Sequence, residues 1–155
     1  MNWINDKQTK PVAGTPPAPQ NQYMKELLDY IEGKKTDEYE IFSLEGLIKR
    51  EFAGKTQNDT KISQLRKFYD DVVTLDQDVG YSPQEINSRL ARIIPLARYS
   101  FARGNLDGAL LKLLDGGIKI VSQKSDDKTK RDVLARFRRV LEAVVAYKKE
   151  PKRGS

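Results

Sequence analysis

The chain has 155 residues, enough for one compact domain that buries roughly two-thirds of its unfolded surface. Cysteine and histidine are absent, which removes disulfides, thiolate chemistry and the commonest metal ligand and general base, so most hydrolase and metalloenzyme chemistries lack their usual parts. The net charge of +6 is uneven, with 8 Lys+Arg against 9 Asp+Glu in residues 1–58 and 20 against 13 in residues 59–155, so the later part attracts an acidic partner such as a phosphate backbone.

No apolar run has signal-peptide length or approaches the ~18 residues of a membrane span, and a soluble cytoplasmic protein with no membrane partner is expected. Residues 1–20 contain Pro11, Pro16, Pro17 and Pro19 and few periodic apolar positions. They predict a flexible Pro-rich arm ahead of a single helical domain over 21–150, with 151–155 as a tail. Trp3 and Ile4 in that arm can dock on a neighbour. Asn21 is expected to cap a short helix that turns Met24, Leu27, Leu28 and Ile31 inward and stops at Gly33. After the charged Lys34–Glu40 segment, a second helix is expected with Ile41, Leu44, Leu47, Ile48 and Phe52 inside, ending near Gly54.

Thr60 to Val73 combine an apolar stripe with a basic flank. At 100° per residue Ile62, Leu65, Tyr69, Val72 and Val73 share one arc, Lys67 points away, and Arg66 sits at the border. A border arginine can lay its stem on apolar surface and hold its planar head over whatever docks there. The same residues also permit ordinary i,i+4 ion pairs, Arg66 with Asp70 and Lys67 with Asp71, in the weaker base-before-acid order.

Gly80 breaks the pattern, and Ser82-Pro83-Gln84-Glu85 forms a complete helix start, with Ser as N-cap, Pro at the first position and Glu three beyond the cap. The following helix turns Ile86, Leu90, Ile93, Ala97 and Phe101 inward, and Pro95 is expected to bend it. Arg92, Tyr99 and Arg103 lie on the far side with Arg89 beside them. Residues 85–103 carry four arginines and one acid, Glu85, which reaches only Arg89. Arg92 and Arg98 have no local acidic partner. Uncompensated arginine with an interleaved tyrosine suits phosphate contact plus base or ribose packing, unless these arginines meet acids on other helices.

Asn105 can cap the next helix, with Leu106, Leu110, Leu113, Leu114 and Val121 inward. Gly116-Gly117 within it costs about 2 kcal/mol of helix propensity and marks a close crossing, a kink or a break, close packing being the default. A polar Gln123–Lys128 connection leads to a final helix with Val133, Phe137, Val140, Leu141 and Val144 on one face. Arg131, Arg138 and Lys149 lie along another, with Arg139 and Lys128 nearby, before Pro151. With no repeat and no strand alternation, the expected fold is all-α, a compact bundle of five to six amphipathic helices. The neighbouring carboxylates Asp70-Asp71 and Asp126-Asp127 diverge on a helix, so no metal site, cofactor site or enzyme activity is expected from them.

Three segments carry a family resemblance. Lys61-Ile62-Ser63-Gln64-Leu65-Arg66-Lys67-Phe68-Tyr69 resembles the opening of a long helix in the small helical subunit of type III-A CRISPR (Csm) effector complexes. The tail Phe137-Arg138-Arg139-Val140-Leu141-Glu142-Ala143-Val144-Val145-Ala146-Tyr147-Lys148 is similar to that family's closing helix, with Lys148 where the family often has histidine. Ile94-Pro95-Leu96-Ala97-Arg98-Tyr99 is similar to its helix with a proline before a tyrosine. The resemblance implies a non-catalytic subunit present in several copies, partnered by itself, by the backbone and large Csm subunits, and by guide RNA and target RNA in antiviral defence. Its contacts would go to sugar and phosphate without sequence preference. The motif positions it marks for RNA contact are Lys61, Gln64, Arg66, Lys67, Arg98, Tyr99 and Lys148. Arg89, Arg92, Arg103, Arg138 and Arg139 are added by charge geometry.

Two other functions fit the composition. One is a helix-turn-helix DNA binder, with Gly80 in the turn and Gln84, Asn87 and Arg89 opening the second helix. The other is a basic scaffold that docks only on acidic proteins.

Overall fold

The computed structural model describes residues 20–52 and 61–149. The arm with Trp3, Gly54 and the tail after 149 lie outside them. The described residues form seven helices and no strand, namely α1 (Gln20–Glu32), α2 (Glu38–Phe42), α3 (Leu47–Phe52), α4 (Ile62–Gln77), α5 (Pro83–Ala102), α6 (Gly108–Gln123) and α7 (Asp127–Lys149). Their apolar faces meet in one hydrophobic cluster, giving the all-α bundle that the periodicity predicts. α7 is its central rod, touching α1, α3, α4 and α6, while α5 lies chiefly on α6 and more lightly on α4.

Local signals set most helix ends. At the end of α1, Gly33 takes φ +99°, and the Gly33 and Lys34 amides both donate to the Asp29 carbonyl at 3.0 and 2.8 Å, the left-handed cap that glycine adopts without Cβ strain. α5 opens with the full capping box: the Glu85 amide donates to Ser82 Oγ at 3.1 Å and the Ser82 amide to Glu85 Oε1 at 2.9 Å. It runs unbroken through Pro95, which is exposed. At α7, Asp126 accepts from the Thr129 amide at 2.9 Å, and that bond holds its carboxyl below the ordinary range. Asp126 is thus a helix cap.

The structure departs from the expected local pattern in four places. The single helix expected over 41–52 is two, because the chain turns at Ser43–Gly46, where a Cβ on Gly46 would collide with the Glu40 and Ile41 carbonyls. Leu44 is thereby 65% exposed. α1 starts at Gln20, ahead of the expected Asn21 cap. The cap of α6 is Asp107, whose Oδ1 accepts from the Leu110 amide at 2.8 Å, whereas the Asn105 carbonyl accepts the Lys61 amide at 3.0 Å and ties the start of α4 to the α5–α6 turn. The buried stripe of α5 takes Ser100 and leaves Phe101 47% exposed.

The Gly116-Gly117 pair is a close crossing within an unbroken helix. A Cβ on Gly117 would enter the Phe137 ring of α7, and one on Gly116 would meet the Leu28 side chain of α1 at 2.8 Å. α6 is therefore pressed between α1 and α7 at the point where it has no side chains.

Candidate nucleic-acid interface

On α4 the buried residues are Leu65, Phe68, Val72 and Leu75, with Ile62, Tyr69 and Val73 only half-buried. The core stripe is rotated toward Phe68 relative to the expected arc. Arg66 consequently leaves the border and stands in solvent, as does Lys67. Neither of the i,i+4 ion pairs that the spacing permits forms, and Arg66 makes no hydrogen bond or ion pair with any described residue.

Along α5, Arg89, Arg92, Leu96, Tyr99 and Arg103 recur every three or four residues and so line one stripe, all of them exposed. Tyr99 is 62% exposed. The Arg103 guanidinium lies over its ring at 5.5 Å and donates to its hydroxyl at 3.3 Å. Arg89 lies over the Tyr81 ring at 4.7 Å. Such guanidinium–ring pairs fix the head groups while leaving their positive charge unneutralised. Among the described residues Arg92 has no ion-pair partner. This stripe forms one wall of a cleft of about 210 Å³ between α4 and α5, lined by Asp71, Thr74 and Leu75 on α4 and by Arg89, Arg92, Ile93 and Leu96 on α5, with Tyr81 at one end. Burial pushes the Asp71 carboxyl up, against the pull of Lys67.

The other candidates are placed elsewhere. Lys61 is exposed at the start of α4. Gln64 accepts from Ser100 Oγ at 2.7 Å, bracing α4 on α5. Arg98, on the opposite flank of α5, pairs with Asp115 of α6. Arg138 bridges α7 to Asp76 of α4 at 2.6 Å and to Glu142 at 2.7 Å. Arg139 is exposed on α7. Lys148 is 2% exposed at its side chain and pairs with Asp107 at 3.1 Å, inside the bundle. The structure therefore gathers Arg89, Arg92, Tyr99 and Arg103, pairs Arg138 and Lys148 with acids inside the bundle, and pairs Arg98 with Asp115 at the surface. Tyr147, in the same closing motif, is also internal, its hydroxyl donating to the Phe42 carbonyl at 2.6 Å.

Sequence reasoning missed Tyr81, Thr74 and Leu96 as parts of this cleft. Tyr81, an aromatic directly before a helix cap, is the one with a visible signal. Its position is fixed by Arg131 of α7, which donates to the Val79 carbonyl at 3.2 Å and to the Tyr81 carbonyl. The described residues contain no group of side chains able to hold a metal ion and no helix long and apolar enough to cross a membrane.

Residues 43–153 match the model of the protein family described as Csm2 Type III-A. Neither a curated protein nor a solved structure matches the chain. The matched span includes α3 to α7, and with them every helix that lines the cleft.

Proposed function

Because the chain belongs to the Csm2 Type III-A family, the small subunits of the type III-A Csm complex, we propose that it lines the RNA groove of that complex in several copies and contacts sugar and phosphate without catalysing a reaction. The observation that carries this reading is the α5 stripe, where Arg89, Arg92 and Arg103 point outward and form no ion pair with a described acid. Rigid rods that present guanidinium groups at fixed intervals attract a polyanion whatever its sequence, and base pairing to a guide then supplies the specificity. Arg66 and Lys67 on α4 and Lys61 at its N-cap are further exposed cations. Lys148 and Arg138 brace the bundle through their ion pairs, and Arg98 stays exposed beside Asp115.

The helix-turn-helix alternative needs the first turns of α5 free to enter a groove. Asn87 there is occupied, its Oδ1 accepting from Lys130 at 2.7 Å and its amide reaching the Ser122 carbonyl at 3.4 Å.

Titration of the full chain against single-stranded RNA, RNA duplex and DNA duplex at two salt concentrations tests the proposal. Steep salt dependence with equal affinity across RNA sequences is the expected result. A strong preference for one DNA sequence, or no binding at low salt, overturns it.

A further inference from the structure

Phosphate contact needs only charge on an open surface, yet the α4–α5 cleft also has an apolar floor, made by the buried Leu75 and Ile93 with the exposed Leu96 at its edge. At about 210 Å³ it falls below the roughly 300–1,000 Å³ of pockets that enclose drug-sized ligands, a size suited to a single planar ring system. Charge complementarity points the same way, because Arg89 and Arg92 stand at its rim with no ion-pair partner among the described residues.

Resting on the RNA-contact reading above, we infer that this cleft receives one unstacked nucleotide of the RNA, its base against the Arg89 guanidinium and its phosphate on Arg92. Unpaired bases stack on guanidinium planes as they do on aromatic rings. Arg89 is held for that role by the Tyr81 ring at 4.7 Å, and Tyr81 is in turn packed on the core and anchored by Arg131. A platform fixed before binding loses little freedom when a base arrives. Leu75, Ile93 and Leu96 supply the apolar surface that a ring needs on its other side. Asp71 at the cleft wall repels a phosphate but accepts hydrogen bonds from an exocyclic amine, which orients the base inward and the backbone outward.

The test uses the full chain and three RNA duplexes that differ at one position, perfectly paired, carrying one bulged nucleotide, or carrying the same bulge with its base removed. Base stacking of about 1–3 kcal/mol corresponds to a preference of at least about fivefold for the bulged duplex over the paired one, and the abasic bulge is expected to lose it. Arg89→Lys keeps the charge and removes the plane, so the ratio of bulged-duplex to paired-duplex affinity should fall to about one. Equal affinity for paired and bulged duplexes, or an abasic bulge bound as tightly as the intact one, overturns the inference and leaves the RNA-contact reading standing. Failure to bind any of the three at low salt overturns both.

Discussion

Lys130 of α7 is 1% exposed, and its ammonium donates to Asn87 Oδ1 of α5 at 2.7 Å and to the Val121 carbonyl at 2.8 Å. Burial lowers its pKa. What keeps the cation there is the pair of oxygens together with its place at the carbonyl end of α6, where a positive charge is favoured. Lys130→Ala leaves the buried Val121 carbonyl and the half-buried Asn87 Oδ1 without that donor and opens a cavity, so denaturant unfolding should show a loss of about 3 kcal/mol. Lys130→Met refills the volume and should recover part of it.

The α6–α7 crossing depends on the absence of a side chain at Gly117, over which Phe137 lies. Alanine is the better helix former by about 1 kcal/mol, so an open helix would gain from Gly117→Ala. Here the added methyl must displace a buried ring, and a net loss of about 2 kcal/mol is expected in urea unfolding. In a Phe137→Leu background the same change should cost less than about 1 kcal/mol, since the clash is with the ring.

Burial and the hydrogen bond from its hydroxyl to Glu38 at 2.7 Å raise the Tyr30 pKa from 10.0 to about 12. An acid whose folded pKa is raised stabilises the fold in its protonated form, fully below pH 10 and progressively less as the pH rises toward 12. Wild type should therefore exceed Tyr30→Phe in stability at pH 8 by about 1 kcal/mol, and the gap should close as the pH passes 10. Urea unfolding of the two proteins across that range measures it.

Arg92 and Arg138 look alike in sequence and should behave differently. Arg92→Glu should leave thermal unfolding unchanged and weaken RNA binding, reducing the salt slope by about one phosphate contact or more. Arg66→Glu should act in the same direction. Arg138→Glu puts a second carboxylate beside Asp76, itself 14% exposed at the side chain, and should lower the melting temperature before it affects RNA. RNA retention by the assembled complex and melting of the isolated chain separate the two effects.

Much of this protein is legible in the chain because it is set within a few residues. The Ser82 capping box, the Gly33 stop and the apolar face of α7 are contacts between positions three or four apart, and propensity and periodicity report them directly. So does the exposed row Arg89, Arg92, Tyr99 and Arg103, whose spacing puts it on one flank of α5. The family resemblance was likewise visible in the motifs at 61–69, 94–99 and 137–148, which lie within the matched span.

Tertiary structure alone decided which cations are neutralised and where the cleft lies. Arg98 finds Asp115 at 17 residues' separation, Lys148 finds Asp107 at 41 and Arg138 finds Asp76 at 62. The α4 stripe turns to bury Phe68 because it must fit α7 and α5 together, which no periodicity on α4 records. A charge pairs with whatever acid the packing of neighbouring rods brings within a few ångströms, and that register is fixed by the shapes of side chains buried between helices. Local spacing could therefore name the arginines, and only the assembled bundle could say which of them still face an incoming strand.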